Sequence, residues 1–216
     1  CNDAYWHGVF GGLYLPHLRH ALYENLIKGE ALHDQQMHRE KDWIDLEKLD
    51  FNGDEDEEVI LKSPEMVLLF SSRGGSLLEM DDRSKAFNIL GTLTRRKEGY
   101  HHNLLESREQ ASRDEASTTK TKTIHEIFHS KEEGLDRYLH FDGYRRVSFL
   151  DHFISEPMDF ESFRRCQYQE EGGFIQEPYE IEVRGKGRNL EVFFSRSGGL
   201  RKDGGGDPIK IEKGFS

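Results

Sequence analysis

The chain has 216 residues, with 30 Lys or Arg against 41 Asp or Glu, and so a formal net charge of −11 at pH 7. That balance excludes nonspecific docking on nucleic-acid phosphates or on an anionic membrane, and no apolar run approaches the roughly 18 residues of a membrane-spanning helix. Hydrophobic residues make up 35% and charged residues 33%, so a polar surface should surround a modest core, to which 14 Phe and 8 Tyr bring burial. Two cysteines, Cys1 and Cys166, are too few for a disulfide framework; they fit a reducing compartment and a cytoplasmic location. The chain opens at Cys1 without an initiator Met, in the middle of a motif, and is read as part of a longer polypeptide.

Cys1 to Gly12 reads CNDAYWHGVFGG. Polar and aromatic residues on a flexible backbone suit a loop lining a site. A helix is expected to follow, with Pro16 in its first turn. Leu15, Leu18, Leu22 and Leu26 recur at helical steps; Arg19, His20, Glu24 and Lys28 take the other face, and Gly29 weakens the helix near Glu30. From Ala31 to Leu49 the pattern is weaker, with Met37, Trp43, Ile44 and Leu46 as a possible helical seam. The acidic run from Asp50 to Glu58 changes the composition and marks a domain boundary: residues 1–49 as a helical segment, 50–216 as a truncated antiparallel β-sandwich, hence an α+β chain.

Beyond that boundary the period becomes two. Val59 and Leu61 alternate with Ile60 and Lys62; Arg73-Gly74-Gly75 turns the chain between Met66–Phe70 and Ser76–Met80, a hairpin signature. Val147, Phe149, Asp151 and Phe153 are expected on one side of a strand. Ile181 and Val183, then Leu190, Val192 and Phe194, alternate around Gly185-Lys186-Gly187, and Ile209 and Ile211 begin a last strand. Ser107 to Thr123 is polar throughout and expected as an exposed loop.

The stretch Cys1-Asn2-Asp3-Ala4-Tyr5-Trp6-His7-Gly8-Val9-Phe10-Gly11-Gly12, continuing through Leu13 to Arg19, resembles the last sequence signature of glycoside hydrolase family 57, in its 4-α-glucanotransferase and α-amylase branch. Arg73-Gly74-Gly75-Ser76, Leu93-Thr94-Arg95-Arg96, Ile124-His125-Glu126 and Asp151-His152-Phe153 carry the resemblance through the chain. It implies a (β/α)₇ barrel upstream, then a helical segment, then a β-sandwich of the galactose-mutarotase type. It also implies a retaining reaction on an α-1,4-glucan or maltooligosaccharide, with two carboxyls as nucleophile and acid–base. Both catalytic carboxyls would lie upstream of Cys1, so none is expected here. Asp3, Trp6 and His7 would meet glucosyl units: a carboxylate accepts from sugar hydroxyls, an indole covers a pyranose face, and an imidazole orients a hydroxyl or Asp3. The competing class is a stand-alone sandwich that binds carbohydrate or only supports a barrel.

Asp50, Asn52, Asp54, Asp56 and Glu58 offer oxygens at alternate positions, a pattern that suits structural Ca²⁺, although a solvated acidic linker has the same composition. No other cofactor is expected. His125-Glu126-Ile127-Phe128-His129 formally matches the zinc-peptidase spacing, but it follows a polar loop in a region resembling a sandwich, which speaks against catalytic zinc.

Overall fold

A computed structural model describes residues 12–99, 101, 135–187, 189–202 and 205–216. The chain forms two compact units, one from Cys1–Leu93, Arg146–Met158 and Tyr168–Ser216, the other from Thr94–Arg145 and Asp159–Gln167. The architecture is α+β: a long helix, then antiparallel sheets, with no closed barrel among the described residues.

In the first unit a 3-10 turn, Gly12–Tyr14, leads into helix α1, Pro16–Met37. Pro16 opens it, where a missing N–H costs nothing. The helix runs on through Gly29, the position expected to weaken it. Glu30 reaches Lys62 at 3.4 Å and Asp34 reaches Arg83 at 2.5 Å, and these contacts outweigh the roughly 1 kcal/mol penalty of an internal Gly. The covered face is also different from the Leu stripe: Tyr23 Oη donates to Glu79 Oε1 at 2.7 Å, Ile27 is buried, and Asp34 is buried against Arg83.

Of the helical seam expected through Met37, Trp43, Ile44 and Leu46, only Met37 is helical; Trp43 and Ile44 lie in the connection that follows α1 and Leu46 in a strand. β1 (Asp45–Leu49) pairs antiparallel with β2 (Glu58–Lys62), followed in a meander by β3 (Met66–Ser71), β4 (Ser76–Asp82) and the short β5 (Phe87–Asn88). Trp43 stacks on His38 with ring centroids 3.9 Å apart, which fixes the bend between α1 and β1. β1 precedes the acidic run and belongs to the same sheet as β2, which follows it. This sheet is buried on both faces. Val59, Phe70 and Leu77 face one core, and Ile60, Val67 and Leu69 face a second cluster with Leu78. Alternation along β2 and β3 divides these residues between the two faces, and a bulge in β4, where Leu69 pairs with Glu79 while Phe70 pairs with Leu77, turns Leu78 toward the second cluster.

β6 (Glu180–Lys186), β7 (Asn189–Lys202) and β8 (Gly205–Phe215) form a three-stranded antiparallel sheet. Its Val192 and Phe194 close the main core against Val59, Phe70, Leu77, Phe174 and Tyr179. The β6–β7 turn demands glycine: Gly185 has φ +94°, and a Cβ there would stand 1.8 Å from the Asn189 carbonyl oxygen.

The strand expected through residues 147–153 is absent. Among the described residues its one backbone pairing with a strand is the Leu77–Ser148 bridge, and Phe149 sits at φ +66°, outside extended geometry.

In the second unit, Arg95 grips Asp142 through its Nε, its Nη2 and its backbone N–H, at 3.0, 2.5 and 2.7 Å, and the Asp142 side chain is wholly buried. A short helix, α2 (Phe160–Arg164), is capped by Asp159, whose carboxylate accepts from Ser162 N.

Candidate functional site

Asp3, Trp6 and His7 lie outside the described residues, as do the polar loop Ser107 to Thr123 and the run from His125 to His129. Just after the first of these segments, Arg19 fixes the entry of α1: Nη1 donates to Leu13 O at 2.6 Å and Nη2 to Gly91 O at 3.2 Å. Beside it is a cavity of about 300 Å³, lined mainly by His17, His20, Tyr23, Phe87 and Gly91. The His20 and Phe87 rings pack 5.0 Å apart. A mostly apolar wall that includes two imidazoles can take an apolar side chain or the apolar face of a ring.

The acidic run folds into a tight loop around two carboxylates. Asp50 accepts from the N–H groups of Gly53, Asp54 and Glu55 at 2.7–3.0 Å, which sets the turn. Glu58, fully buried at the start of β2, accepts from Phe51 N, Asn52 Nδ2 and Ser71 Oγ at 3.0–3.2 Å. Oxygens of Asp50, Asp54 and Glu58 converge within 4.8 Å of one another. Asn52 and Asp56 do not join them: Asn52 turns its amide to Glu58, and Asp56 pairs with Arg73 Nε at 2.7 Å. Burial pushes the Glu58 carboxyl up, Asp54 and Asp50 add to the effect, and the donated hydrogen bonds oppose it. Three carboxylates with no nitrogen or sulfur suit a hard cation, though many of their lone pairs already hold the loop.

A third cluster was not visible in the sequence as a unit. Lys213, on β8, turns into the core beside Phe194. Its Nζ donates to the carbonyls of Gly74, Gly75 and Phe149 at 2.7, 3.1 and 2.6 Å and meets Asp151 Oδ2 at 2.5 Å. Tyr179 Oη also donates to Asp151, at 3.0 Å, and its ring lies under the ammonium. Burial raises the Tyr179 hydroxyl, with the Asp151 carboxylate adding, and burial lowers the Lys213 ammonium against that same carboxylate. Arg73-Gly74-Gly75 and Asp151-His152-Phe153 therefore meet at one lysine. The signal for it was a charge at an inward position of the Ile209, Ile211, Lys213, Phe215 alternation. Lys213 also lines a cavity of about 500 Å³ on the face of β6–β8, beside Phe194 and Ser195, while its Nζ clamps the turns to the sheet.

The family described as "Alpha-amylase/4-alpha-glucanotransferase, C-terminal" matches residues 50–216, and its middle domain matches residues 1–33. "Alpha-amylase 1" of Dictyoglomus thermophilum is 42% identical over 196 residues, covering 90% of this chain and 26% of the relative. "4-alpha-glucanotransferase" of Thermococcus kodakarensis is 34% identical over 214 residues, covering 99% and 29%. The crystal structure of 4-alpha-glucanotransferase from Thermococcus litoralis superposes with a TM-score of 0.70 at 30% identity, over 99% of this chain and 27% of that one. The chain thus spans between a quarter and a third of the length of these relatives. With both family regions in order along it, the chain belongs to the α-amylase/4-α-glucanotransferase family of glycoside hydrolase family 57.

Proposed function

We propose that the chain is the C-terminal part of a retaining, cytoplasmic α-1,4-glucan-acting enzyme, a 4-α-glucanotransferase with α-amylase as the near alternative. The observation that supports this is the family match across residues 50–216, joined to the middle-domain match at 1–33. In this reading Asp3, Trp6 and His7 complete the substrate cleft, Asp3 by accepting from sugar hydroxyls and Trp6 by covering a pyranose face. The sheets serve as a rigid support, and the catalytic carboxyls stand on an upstream barrel. The acidic loop takes a structural calcium at Asp50, Asp54 and Glu58, with Asn52 and Asp56 holding its walls.

The test is incubation of the purified chain, and of the longer polypeptide that contains it, with maltooligosaccharides, followed by product chromatography. The longer polypeptide should redistribute or shorten the oligosaccharides and the chain alone should not. Retaining chemistry needs two carboxyls about 5 Å apart across the scissile bond. Turnover by the chain alone would place the catalytic pair within these residues.

A further inference from the structure

Arg19 stands where helix α1 has least use for a cation. It lies in the first turn, at the positive end of the helix dipole, and no acidic residue accompanies it there. Its Nε is buried and finds no hydrogen-bond partner among the described residues, a cost that a side chain kept only for stability would avoid. A residue that breaks two local rules marks a place where the chain gives up stability for something else.

What Arg19 gains is a bridge between two backbones. Nη1 donates to Leu13 O at 2.6 Å and Nη2 to Gly91 O at 3.2 Å, so one planar guanidinium spans the turn before α1 and the segment after β5. The Gly91 end is tied to the sheet, because Ile89 N donates to Met80 O on β4 at 2.7 Å. The Leu13 end needs an anchor. Leu15, at the N-cap, has no side chain that can cap the helix, and the turn Gly12–Tyr14 is tied to it by the backbone bond from Leu15 N to Gly12 O at 3.1 Å. Asp3 and Trp6 lie a few residues before this turn in the sequence, so whatever fixes the turn fixes the end from which they are carried.

We propose that Arg19 is a positioning residue for glucan binding: by locking the Leu13 carbonyl to the sheet at Gly91, it sets the pose of the segment that carries Asp3 and Trp6. It acts through those two side chains and not by contact with the glucan. The proposal deepens, and rests on, the reading of the chain as part of a glucan-acting enzyme with Asp3 and Trp6 in its cleft. Maltooligosaccharide turnover by the unaltered longer polypeptide, and by its Trp6→Ala variant, tests that reading separately.

The test is steady-state kinetics on maltooligosaccharides with variants of the longer polypeptide. Arg19→Met should raise KM about five- to tenfold and leave kcat within about twofold, since sugar contacts loosened equally in ground and transition states change KM alone. Loss of stability cannot mimic this, because unfolded enzyme lowers the apparent kcat and leaves KM where it was. Arg19→Lys, which reaches one carbonyl but not both, should raise KM about two- to fivefold, and it carries the comparison if Arg19→Met does not fold. Asp34→Asn weakens the hold of Arg83 on the far end of α1, and should lower the melting midpoint with KM unchanged. In a Trp6→Ala background, Arg19→Met should raise KM about twofold at most. An unchanged KM in the Arg19 variants, an equal rise with and without Trp6, or a rise in Asp34→Asn as large as in Arg19→Met overturns the proposal and leaves Arg19 a structural clamp.

Discussion

Replacing Asp81 by Asn should stabilise the protein at neutral pH, and by less as the pH falls. Asp81 lies on β4, is 5% exposed, and accepts from Asn88 Nδ2 at 2.7 Å. Burial pushes its carboxyl up to about 6, against the Asn88 hydrogen bond, with Glu79 and Glu30 adding and Arg83 opposing. An unfolded Asp titrates near about 3.9. Between those values the folded state holds a proton that the unfolded state has lost. The wild-type protein therefore loses stability as pH rises through that window and levels off above it. A shift of about two units corresponds to roughly 3 kcal/mol at about 1.36 kcal/mol per unit. Asn keeps the acceptor for Asn88 but carries its own desolvation cost, so the expected gain at pH 8 is about 1–3 kcal/mol. Urea unfolding of both proteins at pH 4, 6 and 8 measures it, because the other carboxyls cancel in the difference. The gap should be largest at pH 8 and close to within about 0.5 kcal/mol at pH 4. A destabilised variant at pH 8, or a gap that does not change with pH, refutes the reasoning.

Lys213→Met should cost about 1–3 kcal/mol in urea unfolding, since it leaves the partly exposed Asp151 without its cation and three carbonyls without their donor. The double variant with Asp151→Asn should cost clearly less than the sum of the two single changes, and simple additivity would mean the pair is not coupled. Millimolar calcium should raise the melting midpoint above that in chelator and above that in equal magnesium, and Asp50→Asn should remove the difference; an unchanged curve removes the metal. In the longer enzyme, Trp6→Ala should lower efficiency on maltooligosaccharides roughly ten- to a hundredfold, the scale of losing one aromatic stacking platform. Normal kinetics with an early melt would make Trp6 a packing residue.

The sequence was readable where a local rule is also the tertiary rule. The β6–β7 hairpin follows from strict alternation around Gly185 and Gly187, and the β3–β4 hairpin from Arg73-Gly74-Gly75. It misled where a partner distant in sequence decides. Residues 45–49 carry too little period to distinguish helix from strand, and pairing with β2 settles it. Residues 147–153 alternate like a strand, yet Phe149 turns to positive φ and its carbonyl accepts from Lys213 instead of from a neighbouring strand. Of the five acidic-loop candidates, spacing alone could not separate Asp50, Asp54 and Glu58 from Asn52 and Asp56. Arg73, on the facing turn, meets Asp56 at 2.7 Å and Asp54 at 3.3 Å, and of the two only Asp54 also brings an oxygen within 4.8 Å of Asp50 and Glu58.

By itself the sequence determined the kind of protein this is: its acidic charge, a helix followed by antiparallel strands, and the motifs that place it in a glucan-acting family. Those properties depend on composition and short-range pattern, which the chain carries locally. The tertiary structure alone decided which face of α1 is covered, and that Leu77 and Glu79, two residues apart, serve opposite faces of the sheet because the strand bulges between them. It also decided that a lysine closes the core. Burial of Lys213 is tolerated because three backbone carbonyls and a carboxylate, gathered from Gly74 to Asp151, replace its water, and contacts at that sequence distance leave no mark on local pattern.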